Sequence, residues 1–165
     1  MTAPESKLTT LDGLALECAA WLDDGDQVVL VNGAFDVLHV GHLRYLAAAR
    51  ALGDHLVVAV NSDISVRAGK GEKRPIIPED ERVETLSHLW MVDRICLFDS
   101  LTVAPVLERL RPSIHAKGTD YTVDTVPERK VVEKYGGRTE ICGDPKDHAT
   151  TDLIGIILER FGTEP

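Results

Sequence analysis

Short apolar runs alternate with helical patterns along this chain, and the first group of them is the clearest. Residues 28–31 form a continuous β-branched run, which predicts a buried strand. An Ala- and Leu-rich stretch over residues 43–52 predicts a helix that ends at Gly53, and a second apolar run follows at residues 56–60. Strand, helix and strand within about 35 residues form a βαβ unit, whose crossover connection requires parallel strands.

The same alternation continues to the end of the chain. Three more apolar runs predict strands at residues 94–98, 114–116 and 139–142. Helices are predicted at residues 8–22, 103–110, 127–135 and 150–161, another begins near Pro78, and residues 64–78 are predicted to be a loop. This order predicts an α/β fold, a single Rossmann-like doubly wound sheet of about five parallel strands flanked by helices. We expect residues 1–25 to form an N-terminal helical extension of a main domain over residues 26–165.

The length and charge of the chain limit its function. Its 165 residues, 44% of them hydrophobic, suffice for one α/β domain with a full core. A net charge of −9 argues against a nucleic-acid-binding protein, which needs a basic face. No apolar run reaches the roughly 20 residues of a membrane helix, and the 3 cysteines lack the spacing of a metal site. We therefore predict a cytoplasmic protein without membrane or nucleic-acid partners.

Two histidines, His39 and His42, lie between the first predicted strand and the helix that follows it. Four interpretations are open for them: a zinc-binding pair, a general base, helix-capping residues, or hydrogen-bond donors to phosphate oxygens. Ligands bind beyond the carboxyl ends of the strands in open α/β sheets, and N–H groups at a helix N-terminus attract phosphate there. This context favours phosphate donors, with Gly41 allowing close approach of the backbone.

Residues 32–42, NGAFDVLHVGH, resemble the signature of the HxGH nucleotidyltransferase superfamily. Its cytidylyltransferase-like branch carries a G-x-F-D-x-x-H-x-G-H loop, which the chain matches at Gly33, Phe35, Asp36, His39, Gly41 and His42. The segments GDHLVVAVNSD, KGEKRPIIPEDER, AKGTDY and ATTDLI are similar, in the same order, to one subgroup. This subgroup is the D-glycero-D-manno-heptose 1-phosphate adenylyltransferases, which also occur as the transferase half of bifunctional ADP-heptose synthases. The resemblance covers residues 26–158.

The resemblance implies that residues 26–165 form a nucleotidyltransferase domain. Such enzymes join a nucleoside triphosphate to a sugar 1-phosphate and release pyrophosphate, and the resemblance implies ATP as the donor here. The implied catalytic residues are His39, His42, Lys70 and Arg82. The implied nucleotide-binding residues are Asn32, Gly33, Ala34, Phe35, His39, Gly41, His42, Lys117, Thr150 and Thr151. The implied substrate-binding residues are Asp36, Asn61, Asp63, Lys73, Arg74, Asp120 and Tyr121. We expect Mg²⁺ to be carried by the triphosphate rather than by protein ligands, and we expect a homodimer.

Most of these residues also have a structural interpretation. The basic cluster Lys70–Arg74 could be a solvated loop, and Arg82 could pair with a neighbouring carboxylate. Residues 117–121 could be an ordinary charged turn, and the two threonines could only cap their helix. Asp36 could fix its loop instead of touching substrate. The remaining histidines are interpreted as structural: His55, His88 and His115. The segment Lys146, Asp147 and His148 could face the base.

The sequence departs from the family pattern at two positions. Ala149 replaces the usual serine before the two threonines, and Ala34 stands where many members have cysteine. Two alternative functions stay open. One is a CTP-dependent cytidylyltransferase acting on glycerol 3-phosphate or another polyol phosphate. The other, of a different class, is a nucleotide-binding regulator without catalysis, which the loss of one hydroxyl at Ala149 favours and the intact histidine pair disfavours.

Overall fold

A computed structural model of the chain describes residues 7–145 and 149–162. These residues form one parallel sheet with the strand order β3-β2-β1-β4-β5. Its strands are β1 (Val28–Gly33), β2 (His55–Asn61), β3 (Arg94–Phe98), β4 (Ile114–Lys117) and β5 (Arg138–Ile141). The helices are α1 (Leu11–Asp23), α2 (Val40–Arg50), α3 (Asp63–Lys70), α4 (Glu79–Ser87), α5 (Ala104–Leu110), α6 (Arg129–Lys134) and α7 (Thr150–Phe161), with a 3₁₀ turn at Val123–Thr125. The predicted α/β fold with five parallel strands is confirmed.

The central strand β1 explains why its sequence is a continuous apolar run. Val29 and Val31 face one side of the sheet, where they pack against α2 and α4. Val28 and Leu30 face the other side, where they pack against α1, α5 and α6. All four side chains are completely buried, and burying each contributes roughly 1.5–3 kcal/mol to folding. Helices therefore cover both faces, as parallel sheets require.

The helix α1 packs on the sheet through Leu14, Ala15 and Cys18, which belong to the same core as β1. The Oγ1 atom of Thr10 accepts the N–H of Gly13 at 3.1 Å and caps the helix N-terminus. The boundary drawn at residue 25 between an extension and the main domain stays a prediction. No helix of the described residues has the length and apolar character needed to cross a membrane.

The prediction that residues 64–78 form a loop is wrong in its first half. Asp63–Lys70 forms α3, which begins at Ser62, whose Oγ accepts the N–H of Ser65 at 3.3 Å. This helix buries only Ser65 and Val66, so it has no apolar stripe that periodicity could detect. The sequence feature that marks this helix is therefore its N-cap, Ser62, and not a hydrophobic face. The following residues, up to Pro78, connect α3 to α4.

Candidate active site

A cavity of ≈ 630 Å³ lies at the carboxyl edge of the sheet, where the chain order reverses between β1 and β4. Its walls come from the loops after β1, β4 and β5 and from the ends of α2, α3 and α7. Most of the predicted site residues line it: Asn32, Gly33, Ala34, Phe35, Asp36, His39, Gly41, His42, Lys70, Arg74, Lys117, Asp120, Tyr121, Thr150 and Thr151. A volume of this size falls within the range of about 300–1,000 Å³ typical of small-molecule sites.

The two signature histidines form a capping box at the N-terminus of α2. Nδ1 of His39 accepts the N–H of Gly41 at 3.1 Å, and Nδ1 of His42 accepts the N–H of His39 at 3.4 Å. Because Nδ1 is an acceptor in both rings, a neutral ring must carry its proton on Nε2. The structural and functional interpretations are therefore compatible, since capping the helix also fixes Nε2–H as the donor of each ring.

His42 is neutral at physiological pH. Burial, followed by the positive charges of His39 and Lys70, lowers the pKa of His42 from 6.5 to about 4. The rings of His39 and His42 lie 4.0 Å apart between centroids, and Phe35 lies 5.6 Å from His42. A neutral His42 can donate a hydrogen bond to an anionic oxygen without itself being a permanent charge.

The signature loop has a strained backbone. Phe35 and Val37 adopt φ angles of 50° and 54°, in the left-handed region that costs about 1–2 kcal/mol for residues with a side chain. Asp36 lies between them, and its carbonyl accepts the Oγ1–H of Thr150 at 2.9 Å. This conformation persists only if the surrounding structure holds the loop in place.

The carboxylate of Asp36 provides one of these restraints. It is almost completely buried and accepts the N–H groups of Ile76 and Ile77 at 3.0 Å each and Nε of Arg74 at 2.7 Å. Burial raises the pKa of Asp36, but the backbone bonds of Ile77 and Ile76 and the Arg74 guanidinium outweigh it, so that the pKa lies below 3.8. Asp36 therefore anchors the segment after α3 to the signature loop, and Arg74 is held beside the cavity.

Arg82 provides a second restraint from α4. Its side chain is completely buried, and it donates to the carbonyls of Ala34 and Ile77, the latter at 3.0 Å, and to Oδ1 of Asp63 at 2.8 Å. The ion pair considered as the structural alternative for Arg82 is thus present. Because Arg82 does not line the cavity, its placement does not support the predicted catalytic contact with phosphate.

Asn32 at the end of β1 and Lys117 at the end of β4 also line the cavity. Oδ1 of Asn32 accepts from Nε2 of His115 at 3.0 Å and lies 3.4 Å from Nζ of Lys117. Nζ of Lys117 also lies 4.8 Å from the ring centroid of Tyr121. Burial lowers the pKa of Lys117, and the carboxylates of Glu128 and Asp120 oppose this shift. The amino group of Lys117 therefore lies at the end of β4 between an amide oxygen and an aromatic ring.

Three other predicted residues also lie outside the cavity lining. Nδ2 of Asn61 donates to Oγ of Ser65 at 3.0 Å, and Asp63 is paired with Arg82. Lys73 is exposed in the connection between α3 and α4. The segment 146–148, predicted to face the base, lies outside the described residues.

Sequence reasoning missed part of the wall, formed by Arg44, Tyr45, Thr119, Cys142, Gly143, Asp144 and Pro145. Oγ1 of Thr119 donates to the carbonyl of Asp144 at 2.7 Å, and Arg44 pairs with Asp144 at 3.3 Å. The first contact joins the loops after β4 and β5, and the second joins α2 to the loop after β5. The residues that follow β4 and β5 could have been predicted to line the cavity, because the ends of parallel strands meet at one edge of the sheet. Ala149 precedes α7 without a side-chain cap, as its missing hydroxyl implies.

Comparison with known proteins agrees with this geometry. A family model described as cytidylyltransferase-like matches residues 30–157. The chain is 46% identical over 160 residues to the bifunctional protein HldE of Geobacter sulfurreducens, with 97% of this chain and 33% of that protein covered. It is 44% identical over 153 residues to the bifunctional protein HldE of a Bradyrhizobium species, with 92% and 31% covered. The chain thus spans about a third of the length of these relatives.

A solved structure gives a consistent result. The lipopolysaccharide core biosynthesis protein of Thermoplasma volcanium superimposes with a TM-score of 0.62 at 31% sequence identity, covering 73% of this chain and 100% of that one. The signature loop lies at the strand-to-helix junction where the resemblance requires it, and the family match spans nearly the whole sheet. The chain therefore belongs to the cytidylyltransferase-like family of nucleotidyltransferases.

Proposed function

We propose that this chain is an adenylyltransferase that joins ATP to a sugar 1-phosphate, D-glycero-D-manno-heptose 1-phosphate by its resemblance, and releases pyrophosphate. The observation that carries the proposal is the histidine capping box in the cavity wall. It presents two imidazole donors beside the N–H groups that begin α2, an arrangement suited to phosphate oxygens. The relatives, which match nearly the whole chain, support the same reaction class.

The reaction needs no strong general base. A phosphate oxygen of the sugar 1-phosphate, already ionised, attacks the α-phosphorus of ATP and forms a new P–O bond. The bond from the α-phosphorus to the bridging oxygen of the β-phosphate breaks, and pyrophosphate leaves with its electron pair. Charge accumulates on the α-phosphoryl oxygens, so positioned donors supply most of the acceleration. We assign this role to His39 and His42.

Cationic and hydroxyl groups around the cavity suit the remaining phosphates. Lys70 ends α3, Arg74 lies in the connection between α3 and α4, and Lys117 ends β4. Thr150 and Thr151 begin α7, so their backbone N–H groups and hydroxyls add donors, although Thr150 Oγ1 already donates to Asp36. This positive and donor-rich lining explains how an acidic chain with a net charge of −9 accommodates a polyanion.

We propose Mg²⁺ as the cofactor, carried by the triphosphate. Among the described residues, no group of three His, Cys, Asp or Glu side chains could hold a metal ion. Of the carboxylates in the cavity lining, that of Asp36 is occupied by Arg74 and two backbone N–H groups, and that of Asp144 pairs with Arg44. This donor set fits an ion held mainly by phosphates and water, as Mg²⁺ prefers. When bound there, Mg²⁺ supplies neutralisation of phosphate charge.

The test is pyrophosphate release by the purified protein with Mg²⁺, ATP and heptose 1-phosphate. We expect turnover that requires both substrates, and less turnover when CTP replaces ATP. A panel of other sugar phosphates and glycerol 3-phosphate defines the acceptor. Faster turnover with CTP and a polyol phosphate would favour the cytidylyltransferase alternative. Nucleotide binding without pyrophosphate release from any pair would contradict the proposal and favour the regulator.

We also propose a cytoplasmic homodimer. The free thiols Cys18, Cys96 and Cys142 support a reducing compartment. The helix α7 buries no side chain, and it exposes apolar residues that a second copy could cover: Ile156, Ile157, Leu158 and Phe161. We expect light scattering to give twice the mass of one chain, and Ile157→Lys to shift it to the monomer mass. A monomeric parent protein at micromolar concentration would contradict this part of the proposal.

A further inference from the structure

His115 has no role in the proposed reaction, yet its environment is unusual. The ring is completely buried in β4, and its Nδ1 atom has no hydrogen-bond partner among the described residues. Leaving a buried polar atom unpaired costs about 1–3 kcal/mol, so an apolar side chain could fill this position at lower cost. Among the described residues, the polar contact of the ring is the 3.0 Å approach of Nε2 to Oδ1 of Asn32, so any contribution from a hydrogen bond of the imidazole passes through Asn32.

The protons of this contact can be assigned from the groups around it. Nζ of Lys117 lies 3.4 Å from Oδ1 of Asn32 and, as an ammonium, can only donate. The amide oxygen must therefore face both Lys117 and His115, because the reverse orientation would place an NH₂ group against the ammonium. Burial, followed by the charge of Lys117, lowers the pKa of His115 from 6.5 to about 3. The ring is thus neutral, with its single proton on Nε2.

This assignment determines what Asn32 presents to the cavity. With Oδ1 occupied by two donors from β4, the Nδ2 group is left as the free end of the side chain, and Asn32 lines the cavity beside Gly33. No acceptor among the described residues bonds to Nδ2. Two donors, the Asn32 amide and the Lys117 ammonium, therefore lie next to each other at the carboxyl ends of adjacent strands.

We propose that His115 is a positioning residue that, with Lys117, holds the Asn32 amide so that Nδ2 donates to a phosphate oxygen of the bound nucleotide. His115 does not line the cavity and acts only through Asn32. The identity of the ligand rests on the proposed function. The positioning itself rests on the contacts between β1 and β4.

The test is a double-mutant cycle read out as the calorimetric Kd for ATP and, separately, for inorganic pyrophosphate. The four proteins are the parent chain, His115→Leu, Asn32→Ala and the double variant. We expect Asn32→Ala to weaken binding about tenfold, because it removes a hydrogen bond to a charged group. We expect His115→Leu to weaken binding about threefold to tenfold, and to add nothing in the Asn32→Ala background.

Rescue and stability separate positioning from a general structural role. His115→Gln places an amide nitrogen near the position of Nε2, so we expect its Kd to lie within about twofold of the parent value. We expect His115→Leu to unfold at the same or a higher denaturant concentration than the parent, since it removes an unpaired buried atom. His55→Gln is the matched control: His55 pairs with Asp26 at 3.0 Å and stacks on Trp21 at the far end of β2, away from the cavity.

Each outcome decides the inference. Equal effects of His115→Leu in the two backgrounds would overturn it, as would unchanged binding in His115→Leu or a Kd for His115→Gln equal to that of His115→Leu. Because the readout is binding, the cycle is independent of transfer. Coupling without pyrophosphate release would contradict the proposed function and leave the inference standing. Pyrophosphate release without coupling would do the reverse.

Discussion

His42 is the side chain whose removal tests the site most directly. Its Nδ1 caps α2, and its ring is neutral with Nε2–H as the donor. We expect His42→Ala to reduce pyrophosphate release by about 100-fold or more, because losing one donor to developing charge typically costs about 2.7–4 kcal/mol. The exposed His88, which contacts the Glu84 carbonyl at 2.8 Å, gives the control variant His88→Ala. Equal rates for the two variants would mean that His42 only caps its helix.

Arg82 leads to a different expectation, a loss of stability. In Arg82→Lys, a single ammonium cannot replace three donors aimed at Ala34, Ile77 and Asp63. Since breaking a buried ion pair costs about 3–5 kcal/mol, we expect a loss of about this size or slightly less in the free energy of unfolding, measured with urea. Arg109→Lys is matched to it, because its ion pair with Asp12 is exposed and contributes about 0–1 kcal/mol. Similar losses in both variants would contradict the restraining role of Arg82.

These two residues show what side-chain chemistry predicts and what it does not. His39, His42 and Lys117 could be placed at the cavity because each follows a predicted strand, and the ends of parallel strands meet at one edge. The role of Arg82 could not be predicted, because a guanidinium that can bind a phosphate can equally bind a carboxylate, as it does at Asp63. The choice depends on the signature loop, in which the Ala34 carbonyl accepts from Arg82 next to a left-handed residue, Phe35, that no local sequence pattern predicts.

At the scale of elements, predictability follows the strength of the apolar pattern in the sequence. The strand at Arg94–Phe98 and the helix Thr150–Phe161 were predicted with their observed bounds, because both have strong periodic patterns. The helix α3 was missed since it has eight residues, two buried side chains and Gly69 in its last turn. It depends on its Ser62 cap and on contacts made after folding, including the ion pair of Asp63 with Arg82.

The connection between α3 and α4 depends on one carboxylate. Asp36→Asn replaces an acceptor oxygen by an NH₂ group and removes the charge that attracts Arg74. We expect the N–H groups of Ile76 and Ile77 to lose hydrogen-exchange protection while those of β1 retain it, because local segments can open without global unfolding. Asp144→Asn, which changes an exposed ion pair elsewhere on the cavity rim, is the control. Unchanged exchange at Ile76 and Ile77 would show that the segment is held by other contacts.

At the scale of the whole molecule, the sheet order explains why a chain rich in acids has a site for an anion. The order places β1 between β2 and β4, so that loops after β1, β4 and β5 converge. The cavity lining contains His39 and His42 from the loop after β1 and Lys117 from the end of β4. Most of the 27 acidic residues lie outside this lining. The net charge alone does not predict a site for an anion, because only the topology brings the basic residues together.

The two buried histidines and Asp36 make the stability of the whole molecule fall on acidification. The pKa of His42 falls to about 4 and that of His115 to about 3, both from 6.5, so the folded chain binds fewer protons than the unfolded chain in that range. Stability therefore falls as the pH decreases below about 6.5. The lowered pKa of Asp36 acts in the same direction near pH 3.8, because its stabilisation is lost when the carboxylate is protonated.

We expect the urea midpoint of unfolding to decrease steadily from pH 7 to pH 4. The decrease should be smaller in His115→Leu, since this variant lacks one of the two groups that must stay unprotonated in the folded state. Two results would contradict this expectation: a urea midpoint that rises on acidification, or a pH dependence that His115→Leu leaves unchanged. Either result would mean that these imidazoles bind protons in the folded chain as readily as in the unfolded chain, and that the proton assignment around Asn32 is wrong.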